Sequence, residues 1–183
     1  SCLVGSEMYI RDRKFTERLS LQLSSMGHQV TIVTNNVFDL PDVEILDGGI
    51  GIYRLPCYPL IGGRFPIPKK NARYKELINE LFRQPVDGVL VNARFYPHSF
   101  TGVKHAERCG IKPVLIDHGS AYLTFGNSLL DMFVVAYEHM MTALLKHHQI
   151  DYYGISRASL RWLRTFRVNG LGVINNSIDA NDY

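Results

Sequence analysis

Short apolar runs alternating with longer helical patterns constrain this chain more than any other feature. From residue 72 onward the order is helix (72–83), strand (86–91), helix (99–109), a strand that ends at His118, helix (129–148), strand (151–155), helix (156–168) and strand (171–174). Strands joined by helical segments of about ten residues or more cross over right-handed and pair in parallel. The expectation is a doubly wound, mostly parallel, Rossmann-like α/β sheet with a ligand crevice along the carboxyl edge of its strands.

The amino-terminal part is less regular. Ile10, Phe15, Leu19, Leu21, Leu23 and Met26 lie among Arg11, Asp12, Arg13, Lys14, Glu17 and Arg18 at a spacing nearer helical than alternating, and Gly27 supplies the stop. The β-branched run 30–34 then predicts a strand, and 51–55 a weaker one. The acidic stretch between them (Asp39, Asp42, Glu44, Asp47) reads as loop with a short extended piece. Residues 56–70 hold Pro56, Pro59, Pro66, Pro68 and Gly62-Gly63, breakers enough to predict an irregular, functional or mobile loop.

Composition sets outer bounds. A chain of 183 residues with 46% hydrophobic content has the length of one domain, and at that size about 70% of the unfolded surface is buried. The net charge of +3 favours anionic partners only mildly, and the aromatic-basic interleaving or zinc spacing that would indicate nucleic acid is missing. Cys2, Cys57 and Cys109 are odd in number and widely spaced, which argues against a disulfide framework or structural zinc and fits a reducing cytoplasm. No run reaches about eighteen uninterrupted apolar residues and no secretion signal opens the chain, so the expected location is cytoplasmic, at most peripheral on the inner membrane face.

Four segments place polar groups where strands meet the crevice: Gly5-Ser6-Glu7, Asn92-Ala93-Arg94, His118-Gly119-Ser120 and Ser156-Arg157. The run Val114-Leu115-Ile116-Asp117-His118-Gly119-Ser120 stands out, because an apolar strand bounded by Pro113 ends in a titratable, glycine-flexible crest. Other roles compete for these residues. His118 could merely cap the strand or satisfy a nearby carbonyl, Arg94 could pair with an acidic neighbour on the surface, Ser156 could be only a helix cap, and Glu7 suits the positive end of a helix whatever the function.

In this setting the chain resembles the amino-terminal domain of a glycosyltransferase family 4 enzyme, one half of the two-domain GT-B architecture. Gly5-Ser6-Glu7-Met8 is similar to the family's glycine loop, and Met26-Gly27-His28-Gln29-Val30-Thr31-Ile32-Val33-Thr34 to its "GHxVxVxT" strand. Ile116-Asp117-His118-Gly119 resembles the strand ending in histidine, Tyr153-Gly154-Ile155-Ser156 the strand ending in serine, and Val173-Ile174-Asn175-Asn176-Ser177-Ile178-Asp179 the "VIPNGID" interdomain passage. Val4 stands where a second loop glycine is expected, Asn175 where the proline is and Ser177 where the glycine is. The first departure leaves Gly5 and the helix amides as the remaining anion cradle.

The resemblance implies a retaining hexosyltransferase that moves a sugar from a nucleotide-sugar donor to a cell-surface polysaccharide or lipid-linked glycan acceptor, this domain shaping the acceptor side. It implies His118 as the catalytic group, hydrogen-bonded to the transferred sugar, with Gly5, Ser6, Asn92, Arg94, Gly119 and Ser156 as substrate contacts. No metal or resident cofactor is expected. Only Cys2-Leu3-Val4 precedes the glycine loop and the chain stops within ten residues of its last strand, so the sequence is expected to be a piece of a longer protein. The donor-binding domain, with its paired glutamates, would lie outside it, and this domain alone would be inactive. A nucleotide-sugar epimerase with the same architecture and a non-catalytic sugar- or nucleotide-binding module are the alternatives.

Arg64, Lys69, Lys70, Arg73 and Lys75 precede any acid in their loop, while Ile61, Phe65 and Ile67 supply apolar contacts. The cluster predicts either contact with an anionic membrane, at about 1 kcal/mol per basic residue, or an ordinary solvated face. His139, His147 and His148 do not predict a metal site, because adjacent histidines on a helix point apart. Their helix, apolar almost all round, is expected to be core.

Overall fold

The computed structural model describes residues 7–46, 48–60, 62–63, 65–124 and 126–175, with side chains described from residue 14. The expected substrate contacts Gly5 and Ser6 and the membrane-contact residue Arg64 lie outside the described residues. The fold is mixed α/β, with parallel strands and alternating helices of Rossmann-like type, and the chain divides into two compact units, residues 1–84 and 85–183.

In the first unit, α1 (Glu7–Ser25) ends as Gly27 predicts. Gly27 takes φ +86°, its N–H donates to Ser24 O at 2.9 Å and that of His28 to Leu23 O at 3.1 Å, the paired bonds that close a helix through a left-handed glycine. β1 (Thr31–Asn36) lies parallel to β3 (Gly51–Leu60), and the extended piece in the acidic stretch is β2 (Val43–Ile45), antiparallel to β3. α2 (Ala72–Arg83) begins where the Asn71 side chain accepts the Tyr74 N–H at 2.8 Å. Its Leu77 and Leu81 bury against Tyr53 and Leu55 of β3.

The expectation of an irregular loop at 56–70 is wrong. β3 runs on to Leu60 and turns through Gly62-Gly63 into β4 (Phe65–Pro68), an antiparallel hairpin. The register explains how four prolines fit: Pro59 faces Pro66 and Cys57 faces Pro68, while Lys69 N donates to Pro56 O at 2.9 Å. Bonded and unbonded pairs alternate in an antiparallel ladder, so Pro59, Pro66 and Pro68 occupy the class of position whose N–H is not needed, and Pro56 serves only as acceptor.

The second unit is a parallel sheet in the order β5 (Leu90–Asn92), β6 (Val114–Asp117), β7 (Asp151–Gly154), β8 (Gly172–Val173). The connections are α3 (Ser99–Arg108), α4 (Ser128–Leu145) and α5 (Arg157–Leu163), the last running into a 3₁₀ turn, Arg164–Phe166. Val91, Leu115 and Tyr152 stand in register across three strands and pack on Val103 of α3, Leu145 of α4, Leu163 of α5 and Phe166. Fully burying such aliphatic side chains stabilises by about 2 kcal/mol each. β5 starts at Leu90 rather than 86, because Pro85 and Gly88 interrupt the run.

α4 corrects a second expectation. Glu138, Met141, Thr142 and Leu145 are buried, but Leu129, Leu130, Met132 and Phe133 are exposed, so only the carboxyl-terminal half is core. By length and composition alone α4 could cross a membrane, with mean hydropathy 1.3 and 22% of it buried.

Candidate functional site

The carboxyl edge of the second sheet is assembled by an unusual backbone at the end of β5. Ala93 takes φ +65°, a left-handed conformation that costs a residue with a Cβ about 1 kcal/mol or more. Its N–H donates to Ile116 O at 2.9 Å and its carbonyl accepts from Ser99 Oγ at 2.7 Å. Asn92 and Arg94 flank this reversal.

Asn92 is paired with Ile116. His118 follows Ile116 by two, so the two side chains are diagonal neighbours on one face of the sheet, and His118 Nε2 lies 3.3 Å from Asn92 Oδ1. Asn92 is half-buried, and His118 is 7% exposed. An amide oxygen beside an imidazole nitrogen selects the ring tautomer and holds its orientation, as a proton-handling or hydrogen-bonding histidine requires. Gly119 continues the crest; a Cβ there would sit 3.4 Å from Trp162 Nε1, against an indole that stacks edge-on with Tyr122 at 4.7 Å.

Arg94 is not at the crevice surface. It is 1% exposed. Its Nη2 donates to Glu138 Oε2 at 3.0 Å and Nη1 to Thr142 Oγ1 at 3.1 Å, while Nε lies 3.4 Å from Asp117 Oδ2 and the guanidinium covers the Phe166 ring at 3.6 Å. One cation thus meets two buried carboxyl groups. Burial pushes the Asp117 carboxyl up to about 6, against the opposing pull of Arg94 and His118 and with help from the Glu138 charge.

Ser156 caps α5: its Oγ accepts the Ser159 N–H at 3.1 Å and Ser159 Oγ accepts the Ser156 N–H at 2.9 Å. In the first unit Lys69 and Lys70 are exposed, with Lys69 Nζ 5.6 Å over the Tyr58 ring. Arg73 is committed to Asp42 at 2.7 Å and Glu76 at 2.8 Å. The structure therefore brings Asn92, His118 and Gly119 together at one crest, sets Arg94 beneath it, and gives Ser156 a helix to start. Among the described residues no three His, Cys, Asp or Glu side chains gather as metal ligands would.

Sequence reasoning missed Glu138, Thr142 and the inward turn of Arg94. The available signal was an acid in the middle of a mostly apolar helix, one turn and more away from the first-turn Asp131, since a carboxylate is buried only with a partner.

The sequence model of Glycosyltransferase Family 4 matches residues 13–182. Phosphatidylinositol N-acetylglucosaminyltransferase GPI3 subunits of Saccharomyces cerevisiae, from strains YJM789, RM11-1a and ATCC 204508 / S288c, are each 27% identical over 100 residues. The aligned part is 55% of this chain and 22% of each yeast protein, so the chain spans less than a quarter of the length of these curated relatives. No solved structure matches.

Proposed function

The chain belongs to glycosyltransferase family 4, and from that premise we propose that it is the acceptor-side domain of a retaining GT-B enzyme that moves a hexose-type sugar from a nucleotide-sugar donor to a glycan or lipid-linked acceptor. The observation that carries the reading is the Asn92–His118 pair at 3.3 Å on the carboxyl edge of a parallel sheet, where α/β folds of this kind build their ligand sites. The yeast relatives are named for N-acetylglucosaminyl transfer to phosphatidylinositol, which supports a lipid-linked acceptor and an N-acetylglucosamine donor.

Transfer of this kind develops positive, oxocarbenium-like charge on the sugar while the diphosphate departs. Asn92 would fix the orientation of the His118 ring, and a hydrogen bond from the imidazole to the sugar near the reacting carbon would stabilise the charge that develops there. The donor is a substrate, and no resident metal is assigned. The β3–β4 hairpin, with exposed Tyr58 and Leu60 and with Lys69 over the Tyr58 ring and Lys70 next to it, would rest on an anionic membrane, the surface that carries lipid-linked acceptors.

The test is sugar transfer by the full-length protein with His118→Ala. A loss of kcat/KM of about a hundredfold or more supports the reading, whereas unchanged kcat/KM removes His118 from the reaction. Isomer formation from the donor without any acceptor would instead identify an epimerase.

A further inference from the structure

We propose that Arg94 is a positioning residue for His118, fixing the turn that carries the imidazole through its buried pairs with Asp117 and Glu138. The inference rests on the reading of His118 as the sugar-facing group. At 1% exposure Arg94 has no surface to offer a substrate, so its influence on chemistry must pass through its neighbours.

Those neighbours bracket His118 on both sides. Asp117, 3.4 Å from Arg94 Nε, is the residue immediately before it. Glu138 Oε2 accepts from Arg94 Nη2, and its other oxygen, Oε1, lies 3.3 Å from the donating Leu123 N–H in the loop that follows Gly119. The segment from Asp117 to Leu123 is therefore tied at its start and near its end to one guanidinium. Thr142 completes the frame, accepting from Arg94 Nη1 while its hydroxyl donates to Glu138 O at 2.7 Å. On the other side, the left-handed Ala93 couples the inward direction of Arg94 to the position of Asn92, the partner of His118. The same cation thus governs the imidazole, its partner and the turn between them.

Only arginine meets these demands together. Its planar fork donates in several fixed directions and stacks on a ring face, whereas a lysine ammonium is a point charge on a flexible stem. Arg94→Lys keeps the charge and loses the frame, which makes it the informative substitution.

The experiment is a double-substitution cycle for sugar transfer in the full-length protein. Arg94→Lys is expected to lower kcat about tenfold with donor and acceptor KM within about threefold, and to cost less than about twofold in a His118→Ala background, since its effect passes through the imidazole. An equal loss in both backgrounds, or unchanged kcat on Arg94→Lys, overturns the proposal. Should Arg94→Lys not fold by circular dichroism, Glu138→Gln takes its place in the cycle with the same expectations. Where His118→Ala leaves no measurable rate, the 15N resonances of the His118 ring decide: displaced in the Arg94 or Glu138 variant as expected, or unmoved, which overturns it. Full activity of His118→Ala alone marks failure of the underlying reading of His118, a result distinct from these.

Discussion

Asp117 is where burial and charge pairing oppose each other most directly. Its carboxyl titrates near 6 in the folded protein against an ordinary value of 3.8, with burial the dominant cause. Between about pH 4 and pH 6 the folded protein keeps a proton that the unfolded chain has released, so stability from this group is full at low pH and is lost as pH rises through the folded value. The loss is on the order of 3 kcal/mol at 1.36 kcal/mol per unit. Asp117→Asn cannot titrate, so the stability of the natural protein relative to this variant should decline across that window when urea midpoints are compared; a constant difference rejects the account. A second residue-scale prediction concerns Gly154. A Cβ there would lie 2.6 Å from Leu160 N and 2.6 Å from Ser159 Oγ, while one at Gly88 would meet open space. Gly154→Ala should lower stability by about 3 kcal/mol, and Gly88→Ala should change it little, in parallel thermal melts.

At the scale of elements, the layer of helices on the second sheet hangs on the row Val91, Leu115 and Tyr152. Leu115 is fully buried in that row, and Leu115→Ala should cost about 2–5 kcal/mol by chemical denaturation. Ser156 offers a cleaner separation of roles. As a cap with a reciprocal Ser159 bond, it should lose about 1 kcal/mol on Ser156→Ala and recover most of it on Ser156→Asp, because aspartate caps equally well. A substrate contact would not be restored by a carboxylate, so transfer assays on the same two variants separate the functions. The helix α2 was legible in the sequence to its last residue, because an apolar face at helical spacing is a local signal. The sequence concealed the β3–β4 hairpin, because prolines placed at alternate, unbonded positions have the same composition as prolines in an irregular loop. It concealed the Arg94 network for another reason: Glu138 lies 44 residues away, and no local pattern announces which distant acid will meet a given arginine. The crest at Asn92 and His118 was legible because the end of an apolar run is a local signal, whereas its support from α4 was not.

For the molecule as a whole, the excess of +3 charges is small, so any attraction to an anionic surface must come from where charge is concentrated. Arg73 adds little, since Asp42 and Glu76 already occupy it; among the described residues the adjacent, exposed Lys69 and Lys70, with Lys69 over the Tyr58 ring, are a concentrated basic feature of the hairpin. About 1 kcal/mol per lysine is enough to change vesicle partitioning severalfold for each charge, and an interaction of that origin weakens as the Debye length falls from about 10 Å at 0.1 M salt to about 3 Å at 1 M. The full-length protein should therefore bind vesicles containing phosphatidylserine more than neutral ones, and the double change Lys69→Glu, Lys70→Glu should abolish the difference. The exposed Leu129, Leu130, Met132 and Phe133 of α4 give the experiment its counterweight. Burial of those side chains in a bilayer would owe nothing to anionic lipid and would survive high salt. Binding that is indifferent to both lysine changes and to salt would thus exclude the hairpin as the membrane contact, whereas salt-sensitive binding lost with the two lysines assigns it.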